Sequence, residues 1–175
     1  MNADELDWNR TLREQWEFHW NHQLRARLDG LTDDEYVWSP VPGARSDHGF
    51  PGPDPASFTT IAWRLGHVIV DVLAVRNAAH FGAPGASRET WQYADSAATA
   101  LAQLRTQLDV WLAGVSGLDD AALRVPVGAK EPYPDAPMAD LVLHINRELI
   151  HHLSEVCLLR DLYVHTNPAT NGATR

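Results

Sequence analysis

Twelve consecutive residues near the C-terminal end, HINRELIHHLSE, bring His144, Glu148, His151, His152 and Glu155 into one short stretch. Imidazole is the commonest protein ligand for metals and the side chain that titrates near neutral pH. Residues four apart on a helix share a face. Taking Glu148 as origin and about 100° per residue, Leu141 and Leu159 fall at about 20°, Ile145 and Tyr163 at about 60°, and Met138 and Val156 at about 80°. That centres the apolar face at about 40°, where His152 lies, with Glu148 about 40° away. His144 and His151 sit on the flank, at about −40° and about −60°. Glu148 and His152 therefore form an inward i,i+4 pair. A carboxylate facing a helical core is costly unless it is paired, protonated or bound to a metal. Two readings follow. One is a Glu–His ion pair, or a polar patch where the helix leaves the core. The other is half of a metal site, because bundles hold metals with inward carboxylates and imidazoles on facing helices.

A metal site needs a third ligand from another helix. His67, in TIAWRLGHVIVD, is the natural candidate, with Gly66 beside it to permit close approach. Periodicity does not single it out. Taking Val68 as origin, the apolar face centres at about 40° and His67 lies at about −100°, alongside Arg64 and Asp71. His19 and His22 are rivals on the first helix, while His48, His80 and His165 show no convergence. His144 and His151 are the alternative ligands on the last helix. Asp71 and Glu155 are placed to orient ligating imidazoles.

The elements that must position these residues are marked out by proline. All eleven prolines of the 175-residue chain fall outside four long segments, and proline breaks helix interiors. The segments are 4–29, 59–81, 95–115 and 138–164. In the first, Trp8, Leu12, Trp16, Trp20, Leu24 and Leu28 recur every four residues, a helical period. The second carries Ile61, Leu65, Val68, Val72 and Val75, and the third Leu101, Leu104, Leu108, Trp111 and Leu112. The expected fold is all-α, a four-helix bundle with long Pro/Gly-rich connecting loops. Residues 1–165 form the domain, and 166–175 are expected to be a disordered tail. Thr32 with Glu35 predicts a capping box and a short helical turn. The long polar loop 39–57, with Arg45 and His48, is placed to cover a cleft beside the second helix.

Composition narrows the function. Fourteen Lys and Arg against twenty-three Asp and Glu give a net charge of −9, with no basic run. Nucleic acid is not an expected partner, since phosphate binding needs clustered positive charge. No apolar run is long enough for a membrane span, and the acidic first ten residues carry no signal-peptide core. A cytoplasmic protein acting on a small molecule is expected. The single cysteine, Cys157, excludes an intrachain disulfide framework and a multi-cysteine zinc site. A further apolar stripe on the last helix, Leu143, Ile150, Leu153 and Cys157, calls for another packing partner, either a second copy in a homodimer or another helix of the bundle.

The segments WNHQLRARLDGLTDDEYVWSPVPG, TIAWRLGHVIVDVLAVRNAAHFG and HINRELIHHLSEVCLLRDLY, with the long loops, resemble the DinB-like (YfiT-like) superfamily. The N-terminal domain of mycothiol-dependent maleylpyruvate isomerase is similar to it as well. The resemblance implies a divalent metal, zinc or nickel, held by His67 and by an i,i+4 pair on the last helix. That pair is often His-x-x-x-His followed by an Arg-Gly-Gln stretch. Here it reads Glu148 and His152, followed by Leu153, Ser154 and Glu155; the isomerase-like branch also uses Glu there. The resemblance further implies transfer or isomerisation dependent on a low-molecular-weight thiol such as mycothiol or bacillithiol, and hydrolysis by a metal-activated water is an equal enzymatic expectation. The competing expectation is a non-catalytic metal- or ligand-binding bundle, in which the same residues only pin two helices together.

Overall fold

The computed structural model describes residues 6–44 and 58–167. Among the described residues four long helical rods carry the fold, and two of them change hydrogen-bonding register along their length. The first rod comprises α1 (Trp8–His19), a π-helical segment (Trp20–Leu24) and α2 (Arg25–Leu28). It starts where the Asp7 carboxylate accepts the Arg10 N–H at 2.8 Å, and it is followed by Gly30 at φ 69°, a turn that glycine enters without a Cβ penalty. The short helix α3 (Asp33–Val37) follows, started by the expected Thr32/Glu35 capping box. The second rod comprises α4 (Ile61–His67), a π-helical segment (Val68–Ala74) and α5 (Val75–His80). Thr60 caps it, its hydroxyl accepting the Trp63 N–H at 3.2 Å. Helix α6 (Ala97–Ser116) is capped by Ser96, the one-turn α7 (Asp120–Leu123) by Asp119, and α8 (Met138–Thr166) starts after Pro137. The described residues form no strand, and Pro126 and Pro137 make an isolated antiparallel bridge. The all-α expectation holds.

The π segment in the first rod accounts for its strict spacing of four. In a pure α-helix such a stripe drifts by about 40° per step and winds off the core face within a few turns. Widening one turn, as a π segment does, restores the alignment. Leu12, Trp16, Leu24 and Leu28 are accordingly all buried, and the Trp20 ring stacks on Trp16 with centroids 5.5 Å apart. Trp8 lies at the first turn and is half exposed.

Each of α6 and α8 packs against both composite rods. The core between them holds Trp16, Leu65, Leu104, Ile145 and Leu149, all fully buried. Truncating one of these, as in Leu149→Ala, costs about 2–5 kcal/mol.

Contact on two sides widens the buried arc of α8. Its buried residues run from Leu141 and Leu159 through Val142, Ile145, Leu149 and Val156 to Leu153 and Cys157. Taking Glu148 as origin, they span an arc from about 20° to about 180°. The arc centres at about 100°, away from the value of about 40° expected from the apolar pattern. Two corrections follow. Glu148 and His152 stand at the rim of the core rather than in its middle. Leu153 and Cys157, expected on a separate stripe, belong to the same buried sector and pack inside this chain. Of that stripe only Leu143 is exposed and Ile150 half-buried, so the stripe does not by itself require a second copy.

Helix α8 continues through Thr166, two residues past the expected end and one into the expected tail. Positions 168–175 lie outside the described residues, as do 45–57 of the long loop with Arg45 and His48.

Candidate metal centre

On α8, His152 Nε2 lies 3.4 Å from Glu148 Oε2 across one helical turn. The second rod brings His67 against them, its ring meeting His152 edge to face with centroids 4.7 Å apart. One ligand atom from each of His67, Glu148 and His152 lies within 4.8 Å of the others. The three residues expected to converge do so. His67 shares its flank with Arg64 and Asp71, as the wheel indicates, but that flank faces α8 and not solvent. The His67 side chain is 15% exposed, and Arg64 forms an ion pair with Glu155 across the same gap. Apolar periodicity did not select His67 because two polar flanks, not two apolar faces, meet here.

The remaining polar groups hold the rings in place. His67 Nδ1 hydrogen-bonds Asp71 Oδ2 at 2.8 Å, and His152 Nδ1 hydrogen-bonds Glu155 Oε2 at 2.9 Å. With Nδ1 committed on both rings, Nε2 is the nitrogen each offers to a metal. A carboxylate behind the imidazole is the usual way of fixing a ligating histidine's tautomer and raising its basicity. Trp63 stacks flat on His67, with centroids 5.3 Å apart and ring planes 15° apart. Asp71 is itself clamped by Arg88, whose Nε and one terminal N–H group reach its two oxygens at 2.5 and 2.6 Å. Burial pushes the Asp71 carboxyl up, but the hydrogen bonds from His67 and Arg88 outweigh it and leave the pKa lowered. Glu155 behaves alike: burial raises it, while His152, Arg64 and His151 bring it down overall. Both carboxylates are therefore ionised near neutral pH.

These residues fit a divalent ion. Two ligands at zinc-ligand distances of about 2.0–2.1 Å, arranged tetrahedrally, are about 3.4 Å apart, the separation of Glu148 Oε2 and His152 Nε2. Two imidazoles and one carboxylate are a zinc donor set that leaves a fourth position open, the catalytic pattern and not the closed structural one. Imidazole suits nickel equally. The Glu148 side chain is 26% exposed, so the centre has an open side.

The alternative ligands are less well placed. His151, His152 and Glu155 also bring ligand atoms within 4.8 Å of one another, but the His151 side chain is 61% exposed and Glu155 already takes Arg64. His144 Nδ1 stands 3.8 Å from Glu148 Oε1 and accepts a hydrogen bond from Arg147 at 2.8 Å. Burial lowers the His144 pKa, with Arg147 and Arg76 acting in the same direction against Glu148. Cys157 is buried, its thiol pushed up by that burial. Sequence patterning missed His80, whose Nε2 meets the buried Glu131 at 3.0 Å beside Arg76. Glu131 lies in an irregular segment with no period to betray its direction.

A sequence model described as the DinB superfamily matches residues 15–156. The chain belongs to the DinB superfamily. The match covers the second rod and α6 whole, most of the first rod and of α8, and all three candidate ligands. No curated protein and no solved structure matches the chain. In this DinB-superfamily chain the pair position of α8 reads Glu148 and His152, and the carboxylates behind the rings come from both rods that meet at the centre.

Proposed function

We propose that this DinB-superfamily protein is a divalent-metal-dependent enzyme acting on a small molecule together with a low-molecular-weight thiol of the mycothiol or bacillithiol kind. The observation that carries the reading is the convergence of His67, Glu148 and His152 with a carboxylate behind each imidazole. His67 and His152 would hold the ion through Nε2 and Glu148 through a carboxylate oxygen, with zinc or nickel suited to the set. A bound divalent ion supplies charge that keeps a thiol deprotonated near neutral pH. The protein's own part is positioning. Asp71 and Glu155 keep the Nδ1 proton in place on each ring, so Nε2 presents its lone pair to the ion. Arg88 and Arg64 hold those two carboxylates ionised and fixed in direction. The buried Trp63 face shields one side of His67 from water, while the exposed edge of Glu148 leaves a side from which substrate approaches.

The test is elemental analysis of protein purified without a metal-affinity tag, followed by turnover assays with thiol cofactors. Metal-dependent consumption of a thiol supports the reading. Stoichiometric metal with no turnover of any thiol or hydrolysable substrate would make the protein a metal-binding module.

A further inference from the structure

A cavity of 440 Å³ opens beside the first half of α8, walled by Val127, Ala136 and Leu141, with Tyr133 on its outer side. That volume falls within the range of about 300–1,000 Å³ typical of small-molecule sites. Its outer wall is the irregular segment 124–137, which is well tied down. Val127 N–H donates to Ala136 O, Gly128 N–H to Pro134 O and Met138 N–H to Val125 O, each at 2.9 Å. Glu131, buried beneath the segment, meets His80 at 3.0 Å and Arg76 at 3.3 Å. The cavity is therefore preformed.

Two arginines, Arg76 and Arg147, and two carboxylates, Glu131 and Asp140, line it. The charge of Glu131 is offset by Arg76. Arg147 forms no ion pair among the described residues; its guanidinium donates to His144 Nδ1 at 2.8 Å. Arginine has no acceptor, so His144 accepts at Nδ1 and carries its proton at Nε2, leaving a further N–H on a ring that lines the cavity. A cation without a direct ion-pair partner and an imidazole donor thus stand together, facing an apolar wall. Asp140, exposed on the first turn of α8, is the remaining acidic group lining the cavity.

We propose that this cavity binds a small monocarboxylic acid with an apolar body. The carboxylate rests on Arg147 and His144, and the body lies against Val127, Ala136 and Leu141. Asp140 repels a second carboxylate. Because His144 Nδ1 is 3.8 Å from Glu148 Oε1, the bound acid lies next to the candidate ligand set; as its substrate class, the proposal rests on the metal-centre reading above.

The test is calorimetric titration of metal-free and zinc-loaded protein with 4-phenylbutanoate, its neutral amide and a dicarboxylate of similar length. The monocarboxylate should bind at least tenfold more tightly than the amide and the dicarboxylate. Arg147→Gln should abolish the preference over the amide, and Arg147→Lys should retain part of it. Arg147 is exposed, so neither variant threatens the fold. Equal affinity for acid and amide, or an unchanged preference in Arg147→Gln, overturns the proposal. Zinc binding by the same preparations is read separately from their thermal shift. Zinc binding without acid binding overturns the cavity assignment and leaves the centre standing. Acid binding with the Arg147 dependence but no zinc binding supports the cavity assignment and removes the centre.

Discussion

Asp71 joins two residues that come from different parts of the chain: its oxygens take the His67 imidazole at 2.8 Å and the Arg88 guanidinium at 2.5 and 2.6 Å. The segment between α5 and α6 thereby fixes the direction of a candidate ligand on α4. Partners placed behind a ligating histidine are worth about 10- to 100-fold in metal affinity. Asp71→Asn should weaken zinc binding by that factor in a chelator competition, with stoichiometry retained. Arg88→Ala should weaken it in the same direction by less. Unchanged affinity in Asp71→Asn would remove the positioning role.

A second relationship governs stability. Arg160 near the end of α8 meets the buried Glu35 at 2.9 Å and donates to the backbone carbonyls of Arg27 and Asp29. One side chain thus closes the end of the first rod onto α3 and α8. Arg160→Met strands a buried carboxylate, a change that costs about 3–5 kcal/mol. Because the Thr32 N–H still reaches Glu35 at 2.9 Å, the loss should fall at about 3 kcal/mol, the low end of that range. Chemical denaturation measures it, and a loss below about 1 kcal/mol, that of an ordinary surface pair, would show the link to be superficial.

Alkaline pH should expose Tyr36. The residue is 2% exposed, its hydroxyl donates to Ala94 O at 3.1 Å, and burial first, then Asp95 and Asp33, push its pKa up to about 12. A raised acid group leaves stability intact below its unfolded value of 10.0. As pH rises from there towards 12, the unfolded chain loses the proton first, and stability falls by about 1.4 kcal/mol per pH unit. Tyr36→Phe should flatten that part of the pH-stability curve. An equal slope in the variant would assign the loss to other groups.

The fold was legible because proline and a strong helical period mark the four rods at nearly their observed limits. The Thr32/Glu35 cap was legible for the same local reason: two residues three apart satisfy each other's backbone groups. What the pattern could not carry was direction between rods. A wheel at a fixed step gives one helix's faces but not which neighbour each meets, so it set His67 on a polar flank without selecting it and left open which neighbour covers Leu153 and Cys157. The π segments, which re-phase two rods, left one trace, the spacing of four from Trp8 to Leu28. The His80–Glu131–Arg76 cluster left none, because Glu131 is positioned by an irregular segment whose path depends on distant contacts.

Metal-dependent thermal stabilisation of matched variants tests whether His67, Glu148 and His152 hold a divalent ion. For the wild-type protein, zinc or nickel at a hundredfold excess over its dissociation constant should add about 2.7 kcal/mol of stability. His152→Ala should lose most of that gain, while His151→Ala, whose side chain is 61% exposed, should keep it. No stabilisation of the wild type by zinc, nickel or manganese, or equal loss in the two variants, would contradict the assignment.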